Sequence, residues 1–108
     1  MNIESIRGDD IFRSLGSRKG ILIDLREPVD YYRSHIPGAV NIPFDELTDR
    51  VEDIREMVME RGSEMDVLLV LYCERGNKSL HAAWDLYRMG FTVKNVYGGL
   101  INYHGPMT

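Results

Sequence analysis

Short apolar runs alternate along this chain with stretches whose apolar positions recur every three or four residues, a pattern that predicts strands separated by helices. Asp9 or Asp10 suits the cap of a short helix with Ile11, Phe12 and Leu15 on its inner side and Gly16 at its end. Ile21-Leu22-Ile23-Asp24-Leu25 is apolar except for one acid and β-branched at two positions, as expected of a strand covered on both faces. Glu27 and Pro28 favour the start of a second short helix, running to about Ser34. Ile36-Pro37-Gly38-Ala39 reads as a turn that feeds a brief strand, Val40-Asn41-Ile42.

The longest helix is expected next, with Asp45 as its N-cap, Leu47, Val51, Ile54 and Val58 along one face, and Gly62 closing it. Val67-Leu68-Leu69-Val70-Leu71-Tyr72 is the most apolar run and reads as the central strand, with Cys73 at its carboxyl end. Leu80, Ala83, Trp84 and Tyr87 fall at i, i+3, i+4 and i+7, which predicts a helix from near Ser79 to Gly90 with these four on its core side. Phe91 to Tyr97 supplies a last strand, and Gly98-Gly99 turns the chain into a short closing segment. Such alternation argues for a parallel sheet with helices on both faces, where ligands bind beyond the carboxyl ends of the strands.

A length of 108 residues leaves no room for a second core of ordinary size, so residues 1–108 are expected to form a single domain. The 44% apolar and 28% charged residues suit a soluble globular protein, and no segment approaches the about 20 apolar residues of a membrane span. The start, Met1-Asn2-Ile3-Glu4-Ser5-Ile6-Arg7, lacks a basic stretch followed by an apolar core, so the expected location is the cytoplasm, with no membrane partner.

A net charge of -4 argues against a nucleic-acid partner, since duplex affinity rests on basic surface neutralising phosphates. The lone cysteine excludes an internal disulfide, a dithiol redox motif and a thiolate-rich metal site. His81 and His104 have no ligand partners at suitable spacing, so neither metal nor cofactor is expected. Glu52, Asp53, Arg55, Glu56, Glu60 and Arg61 read as the solvated face of the long helix, and His35 as fixing the turn before Pro37.

The chemistry concentrates in Cys73-Glu74-Arg75-Gly76-Asn77-Lys78-Ser79, a strand end, a tight polar loop and a helix start. If the loop curls around the sulfur, successive backbone N–H groups and the positive helix end face it and form a nest for an anion. Settings of this kind hold thiols as nucleophilic thiolates at neutral pH. Gly76 supplies the unusual backbone angles of a tight cradle, and Asn77 tolerates them next best. From position alone, however, a cysteine after a buried strand is more often a small buried hydrophobe; the loop brings the two readings level, and the residues by themselves leave both open.

At this point the chain resembles the rhodanese-like family along nearly its whole length. Asp24-Leu25-Arg26-Glu27 followed by Tyr31 is similar to the family's Asp-x-Arg-Glu motif, and His35 through Pro43 to its His-Ile-Pro-Gly-Ala segment. Tyr72-Cys73 through Ser79, continued by Gly90-Phe91 and Val96-Tyr97-Gly98-Gly99, resembles the active-site loop, its helix and the closing strand. The resemblance implies an open five-stranded parallel sheet with helices on both faces. It also implies a sulfurtransferase, in which the Cys73 thiolate takes a sulfane sulfur from a donor such as thiosulfate and passes it from a persulfide to a thiol, cyanide or a protein acceptor. Glu74, Arg75, Gly76, Asn77, Lys78 and Ser79 would bind substrate, while Asp24 and Arg26 at a strand end would support the scaffold.

Departures from the family pattern bear on that expectation. Many members have a non-acidic residue directly after the cysteine, whereas Glu74 opposes thiolate formation and repels an oxyanion. Lys78 keeps the positive charge of a common arginine but not its planar fork, and Tyr103 stands in for a closing tryptophan. A phosphatase or arsenate reductase of related fold would need arginine at the place of Ser79, six positions after the cysteine. The remaining alternative is a non-catalytic binding or regulatory module with the same fold.

Overall fold

Strand β4 (Leu68–Tyr72) is buried at all five positions because it is covered on both faces: Leu68, Val70 and Tyr72 enter one apolar cluster, Leu69 and Leu71 the other. The structure, a computed structural model, describes residues 3–16 and 20–108; Met1 and Asn2, part of the start read above for a signal, lie outside them. Beside β4 run β2 (Ile21–Asp24) and β5 (Thr92–Val96), and beyond these β3 (Val40–Asn41) and β1 (Glu4–Ile6) form the edges. The order is β1-β5-β4-β2-β3, every pair parallel, giving the five-stranded sheet the family resemblance implies. The pattern of apolar runs revealed four of these strands; β1 has two exposed residues out of three and no run to read.

Helices α1 (Ile11–Gly16) and α2 (Pro28–Arg33) lie on the face of Leu22, Val70 and Tyr72, with Leu15 and Tyr31 packed against that cluster. Helices α3 (Val51–Arg61) and α4 (Asn77–Arg88) cover the opposite face through Ile54, Val58, Ala82, Ala83 and Leu86. Full burial of Ile54 and Val58 contributes roughly 1.5–3 kcal/mol each, enough to seat α3 without strong local propensity. As the sequence predicts, Pro28 opens α2, and the Gly62 N–H closes α3 on the carbonyl of Val58.

Several local expectations give way. Phe12 is 44% exposed, because the short α1 turns only Ile11 fully inward. Asp9 and Asp10 sit within a 3-10 turn, Gly8–Asp10, rather than capping α1. Asp45 likewise lies inside a 3-10 turn, Phe44–Glu46, and a second turn, Thr48–Arg50, precedes α3, which is one residue shorter than α4. The chain needs these tight turns to seat Leu47 in the core before the helix begins. Finally, α4 starts at Asn77, and its buried line is Ser79, Ala82, Ala83 and Leu86; Leu80 is exposed and Trp84 and Tyr87 are half-buried. The small side chains of that line let α4 approach the sheet closely, which displaces the larger ones to its flanks.

Candidate active site

At the carboxyl end of β4 the two faces of the sheet carry two different polar constructions. On the α4 side, the Cys73 Sγ accepts hydrogen bonds from the backbone N–H of Gly76 at 3.1 Å and of Ser79 at 3.3 Å. Two amides at the head of a 12-residue helix thus point at one sulfur, an arrangement that stabilises negative charge there. The Ser79 hydroxyl lies 3.4 Å from the same sulfur and is within bonding distance of the Gly76 carbonyl, 3.2 Å, and of Asn95 Oδ1, 2.5 Å. Ser79 and Asn95 are buried, so this bond ties the loop to β5.

The loop can curl this tightly because Gly76 has φ +97°, and a Cβ there would stand 3.1 Å from the Gly98 nitrogen. From the closing segment, the N–H groups of Leu100 and Ile101 bond the carbonyls of Cys73 and Glu74 at 2.9 and 3.1 Å. A Cβ on Gly99 would meet those same carbonyl oxygens at 2.6 Å, so the glycine pair is what lets the two segments touch. Asn77 uses no left-handed conformation: among the described residues only glycines have positive φ.

On the other face, Asp24 is fully buried and accepts from the Arg26 backbone N–H at 2.8 Å, from the Arg26 Nη2 at 2.8 Å and Nε at 3.2 Å, and from the Tyr72 hydroxyl at 2.6 Å. Tyr72 and Asp24 are register partners across β2 and β4, so the bond follows from strand pairing. The Tyr72 oxygen in turn accepts the N–H of Ile36, and the Asn41 amide donates to the carbonyls of Asp24 and Arg26 at 3.0 Å. Burial, reinforced by the bond to Asp24 and its charge, pushes the Tyr72 phenol well above its ordinary range. For Arg26 burial works against the charge, but the bond to Asp24 and that carboxylate's field outweigh it and raise the guanidinium pKa.

Arg26 also donates from Nη2 to the Ser34 carbonyl at 2.6 Å. Nη1 lies 3.8 Å from the Glu74 carboxylate, where the acid is 60% exposed. Between the two constructions opens a cavity of about 480 Å³, with Cys73 in its wall, the loop residues Glu74, Arg75, Asn77 and Lys78 on one side, and Arg26 on the other. Its outer wall is the α2 segment, which contributes Glu27, Asp30, Arg33 and Ser34.

The structure therefore brings Cys73, Glu74, Arg75, Asn77, Lys78 and Arg26 together around one space. Gly76 and Ser79 sit behind the sulfur rather than in the cavity wall, and Asp24 lies beneath Arg26. The Lys78 ammonium stands 5.7 Å over the Phe44 ring, at the edge of the site. Sequence reasoning missed Tyr72, Asn41, Asn95 and the polar wall of α2. The available signal was a polar side chain at a position that strand pairing buries, as at Tyr72 and Asn95. No group of acidic, histidine or cysteine side chains that could hold a metal ion occurs among the described residues.

The chain is similar to known proteins in sequence and in fold. The chain is 37% identical over 100 residues to an uncharacterized Bacillus subtilis protein, YqhL, covering 92% of this chain and 71% of that one. It is 36% identical to the Escherichia coli thiosulfate sulfurtransferase PspE over 72% of this chain and 68% of that protein. Among solved structures, reduced Bacillus anthracis CoADR-RHD superposes with a TM-score of 0.74 and 34% identity over 90% of this chain, which corresponds to 16% of that longer chain. With a family model, the rhodanese-like domain, matching residues 10–105 as well, the chain belongs to the rhodanese-like domain family.

Proposed function

We propose that this protein is a sulfurtransferase that carries sulfane sulfur as a persulfide on Cys73, acting as a single domain in the cytoplasm and without a cofactor. The observation that supports it is the pair of backbone N–H groups aimed at a sulfur that also borders an open cavity. A structural cysteine needs neither donors nor access. With thiosulfate as donor, the thiolate attacks the outer sulfur, the S–S bond breaks, and sulfite leaves with the bonding pair, so Cys73–S–S⁻ remains. An acceptor then attacks the terminal sulfur: cyanide departs as thiocyanate, a thiol or protein thiolate as its own persulfide, and the Cys73 thiolate returns.

The Gly76 and Ser79 amides point at the sulfur that bears negative charge when it attacks, and the cavity cations Arg26, Arg75 and Lys78 favour an anionic donor. A phosphatase reading finds no support, since the position where such an enzyme needs arginine holds the fully buried Ser79, bonded to Asn95. The test is thiocyanate formation from thiosulfate and cyanide. Wild type should turn over, and Cys73→Ser, folded by circular dichroism, should be inactive, because a hydroxyl in this cradle does not ionise as a thiol does. Full activity in Cys73→Ser would refute the mechanism.

A further inference from the structure

The Ser79 hydroxyl has one proton and three neighbours within reach of it: Asn95 Oδ1 at 2.5 Å, the Gly76 carbonyl at 3.2 Å and the Cys73 Sγ at 3.4 Å. The shortest contact decides where the proton lies. At 2.5 Å it is an O–H···O bond, since an N–H donor keeps about 2.7–3.2 Å from its acceptor. The Asn95 amide therefore has its oxygen toward Ser79 and its nitrogen toward Ser5 Oγ, 3.5 Å away on the register partner across β1 and β5. Ser79 is fully buried and Asn95 is 3% exposed, so water does not compete for the bond. The Ser79 oxygen thus turns lone pairs, not its proton, toward the sulfur. In that pose it accepts the S–H of a thiol but gives a thiolate no donor, against the backbone N–H groups of Gly76 and Ser79, which favour the charge.

We propose that Asn95 is a positioning residue for the Cys73 nucleophile, which holds the Ser79 proton on its own side-chain oxygen and so restrains ionisation of the thiol. Asn95 acts on the sulfur through Ser79. If the hydroxyl turned to the thiolate, Asn95 Oδ1 would be left buried without its donor, and that penalty is the restraint. In the sulfurtransferase reading, on which the functional meaning rests, the same restraint slows attack on a sulfur donor. The charged groups facing Cys73 are Glu74, Arg75 and Lys78 from its own loop and α4, and Arg26, Glu27, Asp30 and Arg33 from across the cavity. From β5 comes the neutral Asn95, and from the closing segment the Leu100 N–H, which bonds the Cys73 carbonyl. Changes confined to Ser79 and Asn95 leave all those charges in place.

Four proteins test this: wild type, Asn95→Val, Ser79→Ala and the double variant, each checked for folding by circular dichroism. Asn95→Val puts a β-branched side chain in a strand and orphans no buried donor, because the Ser79 hydroxyl keeps the Gly76 carbonyl and the sulfur within reach. The ultraviolet absorbance of the thiolate, followed against pH and corrected with the matching Cys73→Ser proteins, reads the charge on the sulfur, which a purely structural role of Asn95 would not move. In Asn95→Val the thiolate should appear at lower pH than in wild type. Persulfide formation from thiosulfate at neutral pH should be faster by about fivefold or more, the low end for a buried acceptor that no longer needs its donor. In the Ser79→Ala background, adding Asn95→Val should change neither reading. An Asn95→Val absorbance profile that coincides with wild type, or the same displacement without the Ser79 hydroxyl, would overturn this inference and leave the sulfurtransferase reading standing. Failure of thiosulfate to load any of the four would overturn that reading, while the absorbance still decides whether Asn95 restrains the thiol.

Discussion

Replacing Asp24 by asparagine keeps the shape of a fully buried side chain but removes the counter-charge of Arg26, whose side chain is 9% exposed. Both Arg26 Nε and Nη2 donate to this carboxylate, as do the Arg26 backbone N–H and the Tyr72 hydroxyl. An asparagine amide must turn its NH₂ toward one of these donors, so at least one bond becomes a donor–donor contact. Breaking one side of a buried ion pair costs about 3–5 kcal/mol, a large share of the roughly 5–15 kcal/mol by which a domain is stable. At about 4–8 °C per kcal/mol the melting temperature should fall by at least about 12 °C. Urea unfolding of wild type and Asp24→Asn, with the slope m held as a check on two-state behaviour, gives the number directly. The companion variant Asp24→Leu/Arg26→Met removes both charges and should recover part of the loss, since an uncompensated charge is the larger penalty. A loss below about 1 kcal/mol in Asp24→Asn would refute the idea that this pair anchors the cavity wall.

Three further outcomes follow from the same contacts. Ser79→Ala should cost about 1–3 kcal/mol in urea unfolding by leaving the buried Asn95 Oδ1 without its donor, while both backbone donors to the sulfur persist and activity falls less than stability. Because the Tyr72 phenol is raised in the fold, the unfolded chain loses that proton first, so stability present below about pH 10 should decline above it. In Tyr72→Phe, measured by the same unfolding at alkaline pH, that decline should be shallower, with Tyr31 and Tyr103, also raised, leaving a residual slope. Glu74→Gln should raise kcat/KM for thiosulfate by roughly two- to fivefold, an effect limited by the exposure of the carboxylate and its contact with Arg26, and it should fade with salt.

What the sequence reveals and what it hides divide along physical lines. Runs buried on both faces, such as Ile21–Asp24 and Leu68–Tyr72, announce themselves by apolarity, and so does the strand, glycine loop and helix around Cys73. The exposed edge strand Glu4–Ile6 gives no such signal. Apolar periodicity misjudges part of α4, because its buried line is Ser79, Ala82, Ala83 and Leu86, and a count of large hydrophobics passes over the small residues that bring the helix close to the sheet. The Asp24–Tyr72 bond joins residues 48 apart in the chain and becomes visible only when β2 and β4 pair in register. Asp24 and Arg26 could be placed at a strand end from sequence, but not the approach of Arg26 to Glu74 beside the cavity.

The central claim, that sulfur travels on Cys73, is tested most directly by intact-protein mass spectrometry after incubation with thiosulfate. The account predicts one added sulfur atom, lost on treatment with a reductant or with cyanide as thiocyanate forms, and absent in Cys73→Ser. Thiocyanate turnover with no sulfur ever added, or an added sulfur that persists in Cys73→Ser, would contradict it.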